Sequence, residues 1–498
     1  MGRLAAQCRS APATARDPCI HRRTRQRHGR DSRGRAGACA RGCPSNSCRD
    51  RGPAGTAGLG AAGAAGFGTV SAEVSRRRFS LARPKWFGVN FEIALIWGAM
   101  ALVHLLYGWV GSWHASVPFN DVTSVYRGWL DGAIESGSIP GIHEPFVYPV
   151  AALLPMWLTD LVGGHEHYTA AWIIIVLVLN LVALWWLTGR NRHAVGAWMR
   201  RAAAWFWVAF MFAIGPIGLG RIDSITVPIV ILALLTIRQR TMGAGFAMTF
   251  GAWLKIWPAA PFAAAFVVFR RRWRLVIGAV IACGVVLLPI MLFVPGWSIE
   301  NLASFITGQT GRGLQVESFA ASILLMMKAF GAQGYFVGFN REILTTQISG
   351  PGTLLISDVL TPLMFIVMAA LLVYAVMVKW AGSRLARLFP SLTMALVTTF
   401  ILVNKVGSPQ FFVWLAPVVI IGLLWDGRWF RWIALIALIV AGLTQIIYPW
   451  YYGWVTAAIP WAAFTLLLRN LLVLGLLVAS IGRMWPAGGR KSRAVVEA

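Results

Sequence analysis

Residues 119–149, "FNDVTSVYRGWLDGAIESGSIPGIHEPFVYP", carry Asp121, Asp131, Glu135 and Glu144, and Asp160 follows shortly after, in a chain of 498 residues with only 18 acidic side chains. A carboxylate held beside a hydroxyl nucleophile can take its proton, an effect of about 10²–10⁴ in rate. Asp121 is the first candidate for that role, because it follows the first long apolar run by about ten residues. The same stretch also reads as a helix start, in which Asp121 would be a surface or capping carboxylate. Lys255, in "FGAWLKIWPAAPF", is a second candidate. A lysine deep in lipid costs about 2.5–3.5 kcal/mol on insertion scales, so it needs a partner or an anionic ligand, unless its ammonium reaches the interface. Arg312 and Glu317 in the loop 296–352, Lys405 and Gln410 at an outer span end, and Tyr126 and Tyr148 of the acidic loop complete the candidate substrate-binding set. Arg221 and Asp223 share a turn and are expected to pair. No metal site is expected: "HEH" at 165–167 lacks helical i,i+4 ligand spacing, and Cys39, Cys43 and Cys48 lack a Cys-x2-Cys pair.

These residues need a frame. The chain is 57% hydrophobic and 13% charged, with 25 Trp and a mean hydropathy of +0.65. Soluble domains carry nearly twice that charge fraction, and apolar runs long enough to cross a bilayer recur from about residue 89 to 482. The expected class is an all-α polytopic membrane protein with about twelve transmembrane helices. Spans are expected near 90–111, 168–188, 202–219, 224–237, 275–295, 354–378, 389–406, 411–425, 431–449 and 459–482, with a short hairpin over 243–269. Residues 147–163 read as a juxtamembrane helix on the outer face. Arginine-rich turns place both termini in the cytoplasm, with the 112–165 and 296–352 loops outside. Residues 1–85, with 18 Lys+Arg against 4 Asp+Glu and no apolar period, read as a disordered arginine-rich cytoplasmic tail or a misassigned start. Residues 86–485 form the membrane domain and 486–498 a short cytoplasmic tail. No nucleic-acid partner is expected.

The order of motifs adds specificity. "YPVAALLP", "GRIDS", "AGFAMTFGAWLKIWP" followed by arginines, "GRGLQVES" and "NKVGSPQFFVWL" succeed one another across residues 86–485. This layout resembles the GT-C superfamily of lipid-dependent membrane glycosyltransferases, and most closely glycosyltransferase family 87, the polyprenyl-phosphomannose-dependent mannosyltransferases. "NKVGSPQFFVWL" is also similar to the first mannosyltransferase of GPI-anchor assembly.

The resemblance implies inverting transfer of a hexose, mannose by default, from a polyprenyl-phosphate donor to a glycolipid or polysaccharide hydroxyl at the outer face of the plasma membrane. It implies that the first-loop acid, here Asp121, is the base. Lys255, with Arg312 or Lys405, would stabilise the departing phosphate, and no cofactor is implied. Two features depart from the family pattern: "SPQFF" at 408–412 replaces a histidine-bearing element, and Asn120 stands before Asp121 where relatives often pair two acids. A transporter or flippase of lipid-linked sugars is the alternative; it would want ionisable groups on several mid-membrane spans, of which Lys255, Asp358 and Arg469 are the candidates.

Overall fold

A computed structural model describes residues 88–114, 117–189, 196–308, 312–341 and 345–486. The expected tail over 1–85 and almost all of the 486–498 segment lie outside the described residues.

The described chain is mostly helical. Helices α1 (Val89–Trp113), α2 (Arg127–Ser136), α3 (Leu153–Gly163), α4 (Tyr168–Leu184) and α5 (Ala197–Ile214) come first. Then follow α6 (Asp223–Thr236), α7 (Thr241–Leu254), α8 (Ala259–Val268), α9 (Arg272–Phe293) and α10 (Ile299–Thr307). Strand β1 (Leu314–Gln315), α11 (Phe319–Ala329), β2 (Phe336–Asn340) and β3 (Thr345–Ser349) interrupt the helices. The chain ends on α12 (Thr353–Trp380), α13 (Leu385–Leu402), α14 (Leu415–Trp425), α15 (Gly427–Gln445), α16 (Tyr452–Thr456) and α17 (Pro460–Met484).

Seven of these helices are long and apolar enough to cross a membrane: α1, α4, α9, α12, α13, α15 and α17. The expectation of about twelve is therefore met only as a helical membrane protein with several spans. The segments expected at 224–237 and within 243–269 form helices of 14, 14 and 10 residues, and 411–425 is a 3-10 turn leading into an 11-residue helix. At 1.5 Å per residue such helices are shorter than a hydrocarbon core of about 30 Å. Residues 150–163 do form a short helix with a 3-10 lead-in.

The all-α expectation also needs one amendment. The loop 296–352 folds into α10, α11 and a three-stranded antiparallel sheet in the order β1-β3-β2, with Leu314 opposite Ile348 and Val337 opposite Ile348 on the other side. Leu314, Val316 and Ile348 pack with Ile447, Val455 and Leu466 in a small second core.

Chain direction gives the bundle two chemically distinct ends. α1, α5, α9, α13 and α15 run toward the end that holds Asp121, Arg221 and Lys405; α6, α8, α12, α14 and α17 run away from it. At the far end Arg201 Nε meets Glu92 at 2.6 Å, and Arg483 Nη2 meets Asp426 at 2.8 Å. Arg238, Arg240, Arg270–Arg274 and Lys379 crowd the same end. Close to this end, α7 and α9 touch almost backbone to backbone. A Cβ at Gly245 would run into the Leu275 backbone, and one at Gly278 into the Met242 carbonyl.

Candidate active site

The site begins with a ring between two glycines. Phe119, fully buried, lies against Gly111 near the end of α1 and against Gly220 in "GRIDS". A side chain at either glycine would collide with the Phe119 ring. This packing draws the start of the acidic loop onto the turn before α6. Arg221 then spans the seam: its Nη1 donates to the carbonyls of Pro118 and Gly220, both at 2.8 Å, and its Nε lies 3.1 Å from Asp121 Oδ2. The expected Arg221–Asp223 pair is therefore corrected. Neighbours in sequence point to different partners, because Arg221 turns toward Phe119's loop while Asp223 opens α6. Asp223 accepts a 2.6 Å hydrogen bond from Trp414 Nε1, and its Oδ2 has no hydrogen-bond partner among the described residues.

Tyr126 ends the π-helical turn that Asp121 opens, and its hydroxyl accepts from the Ile222 N–H at 3.0 Å. It is hydrogen-bonded to Tyr148. Burial raises both phenol pKa values, so both remain neutral hydroxyls. Lys255 caps α7, half-buried, with its Nζ 4.2 Å from the Tyr148 ring centroid and 5.9 Å from that of Phe411. An ammonium over an aromatic face is held by the ring quadrupole. It also interacts electrostatically with Tyr148 and Asp223.

The two later motifs build one wall. Gln315 N donates to the Lys405 carbonyl at 3.0 Å, and Gln315 Oε1 accepts from Gly407 N and Ser408 Oγ, both at 3.2 Å. Gly407 lies so close to Ser318 that a Cβ would overlap its backbone. "GLQVES" and "NKVGSPQ" are thus one folded unit. Lys405 is buried beside Asp358 and Arg312, and burial lowers its pKa. Arg312 is half-buried and interacts with Tyr148, and its buried Nε has no hydrogen-bond partner among the described residues. Gln410 is buried in the 3-10 turn Pro409–Trp414.

Glu317 is held differently. It is 2% exposed and lies 3.5 Å from Arg469 Nη1 on α17. Arg469 stacks on Phe412 at 4.2 Å, and its Nη2 donates to the Glu317 carbonyl at 3.0 Å. Burial pushes the Glu317 carboxyl up to about 7.

Asp121, Tyr126, Tyr148, Lys255 and Arg312 thus converge; Lys405 and Gln410 belong to the adjoining folded unit, and Glu317 is enclosed within it with Arg469. The acidic loop itself divides. Asp131 and Asp160 interact with Tyr168, while Glu135 and Glu144 are exposed. Arg221, Asp223, Trp414, Tyr448 and Arg469 belong to the same end, and sequence reading did not assign them to the site. Tyr448 is hydrogen-bonded to Arg221 and interacts with Asp121. Among the described residues no group of three His, Cys, Asp or Glu side chains converges as a metal site.

A bundle of apolar helices with a charged, aromatic-lined site at one end defines a membrane protein that handles a polar group at the edge of its own span set. The chain belongs to glycosyltransferase family 87, whose profile matches residues 146–404, just over half of it, so it is a GT-C-type membrane glycosyltransferase. The match contains Tyr148, Arg221, Asp223, Lys255, Arg312 and Glu317; Asp121, Lys405, Gln410 and Arg469 lie outside it. No curated protein matches the chain in sequence. The family match lends nothing to the transporter alternative.

Proposed function

We propose that this glycosyltransferase moves a hexose, with mannose the first donor to test, from polyprenyl phosphate to a hydroxyl of a glycolipid or polysaccharide. The site faces the outer side of the plasma membrane, and both termini are cytoplasmic. One observation carries the assignment of roles. Of Asp121, Asp223 and Glu317, the three carboxylates paired or bonded within the cluster, the Asp121 side chain is 25% exposed, while Asp223 and Glu317 are 1% and 2% exposed. An acceptor arriving from outside can reach only Asp121 among them.

Arg221 grips one Asp121 oxygen and leaves the other for the acceptor hydroxyl. The acceptor oxygen attacks the anomeric carbon, the sugar–phosphate bond breaks, and polyprenyl phosphate leaves with the bonding electrons. Asp121 takes the acceptor's proton. A single attack inverts the anomeric centre. A phosphate leaving group needs positive charge rather than a proton. Lys255 and Arg312 supply it, and the Arg312 Nε without a partner is the donor best placed to gain a bond when the anion arrives. Such a monophosphate donor calls for no bridging metal.

The test is direct. Purified protein is incubated with labelled polyprenyl-phosphate mannose, glucose or arabinose and an acceptor mixture, and the glycosylated product is analysed for anomeric configuration. An inverted product that disappears with Asp121→Asn supports the reading; a retained configuration overturns it.

A further inference from the structure

At the end of the bundle remote from Asp121, the turn between α8 and α9 meets the last turn of α12. Phe269, Arg270, Arg272 and Lys379 line an open cavity of about 260 Å³ there. Lys379 Nζ donates to the Val267 carbonyl at 2.8 Å, which places the ammonium over the C-terminal end of α8. That bond uses one of its three donors. Arg272 lies against the Phe266 ring, 5.9 Å from its centroid. Among the described residues no carboxylate lies within ion-pair distance of Arg270, Arg272 or Lys379, whereas Arg201 and Arg483 at the same end each have one. Arg272 and Arg270 both repel the Lys379 ammonium. Three mutually repelling cations around one concavity, without a protein anion, are a site built for an external one.

The surroundings say where that anion comes from. Trp273 and Trp380, 68% and 83% exposed, flank the cavity, and exposed Ile277 and Met377 continue from it along α9 and α12. Exposed tryptophans of this kind mark the membrane–water boundary, and apolar helix faces beyond them accept acyl chains. Basic pockets between transmembrane helices hold anionic lipid headgroups. We propose that Arg270, Arg272 and Lys379 bind the phosphate of an anionic phospholipid whose chains lie along α9 and α12. This site is separate from the transferase site and does not depend on the reading of that site.

The experiment uses the full chain in detergent and measures bound lipid by native mass spectrometry, together with the thermal midpoint. Phosphatidylglycerol, phosphatidylcholine and inorganic phosphate are titrated in parallel. Phosphatidylglycerol is expected to bind and raise the midpoint, and phosphatidylcholine and phosphate are not. Arg270→Gln/Arg272→Gln, which keeps the Lys379 contact with α8, should weaken phosphatidylglycerol binding by roughly tenfold or more. Arg271→Gln/Arg274→Gln removes the same charge outside the cavity and should change it less than about twofold. Equal losses in the two variants would reduce the effect to general surface charge and overturn the site. Equal binding of phosphatidylcholine would overturn the role of the cations, and equal protection by inorganic phosphate would overturn the lipid source.

Discussion

Two arginine–carboxylate pairs stand at the same end of this molecule and differ in one respect above all, access to water. Asp121 and Arg221 meet at 3.1 Å with side chains 25% and 10% exposed; Glu317 and Arg469 meet at 3.5 Å with side chains 2% and 0% exposed. The first pair joins the opening loop to the turn before α6 and keeps an open edge. The second ties the β1–α11 region to α17 and is closed on every side, with Phe412 over the guanidinium. The same chemical groups serve reaction in one place and architecture in the other. A buried pair adds little stability over apolar side chains of equal volume, yet losing one member leaves a bare charge in a low dielectric. An open pair gives its carboxylate a free oxygen and a fixed direction.

Breaking the closed pair should give the largest effect. Arg469→Met strands Glu317, and its measured unfolding free energy at pH 8 should fall by about 3–5 kcal/mol. The loss should shrink at pH 6, where the stranded carboxyl is protonated. An equal loss at both pH values would mean that Glu317 is not the group left uncompensated.

Breaking the open pair should leave stability nearly unchanged and stop catalysis. Asp121→Asn should lower kcat by at least about 10² with donor binding retained. Glu135→Gln and Glu144→Gln, on exposed side chains, should stay near wild type. A stability loss at Asp121→Asn matching that at Arg469→Met would erase the distinction between the pairs.

Lys255→Ala should raise the donor KM by about tenfold, the usual scale for one hydrogen bond to a charged group. Lys255→Arg should recover part of it. Unchanged donor KM in Lys255→Ala would leave the lysine with Tyr148 and Asp223 alone.

The smallest effect is a pH slope. Glu317 titrates at about 7 in the fold against an ordinary 4.5, so folding favours its protonated form. That contribution is fully present below about 4.5 and is lost as pH rises through about 7. The thermal midpoint of the wild type should therefore fall across this window relative to Glu317→Gln. Parallel pH curves for the two proteins would show that Glu317 keeps its ordinary titration.

What could be read from sequence followed from contrast. Lys255 and Lys405 stood out as charges in or beside apolar runs, and Asp121 as a scarce acid about ten residues past the first one, a place the family resemblance gives to the base. Motif order identified the family because "GLQVES" and "NKVGSPQ" are halves of one folded wall. Pairing was much less legible. Arg221 and Asp223 are two residues apart, yet Phe119 packing on Gly220 sends the arginine to a carboxylate from another loop. Arg469 looked like an isolated charge on a transmembrane helix because its partner is in the loop before α11. The three strands were missed because segments of two and five residues carry too few alternations to stand out inside a long loop.

The glycine seam between α7 and α9 has a mechanical meaning. In lipid, close van der Waals contact is what joins helices, since the surrounding chains are as apolar as the side chains. α9 turns most of its surface outward and is seated on α7 at Gly245 and Gly278. It is a fin welded to a strut at two points. Any tilt that bilayer thickness imposes on the fin is transmitted to the strut, and the strut ends at Lys255.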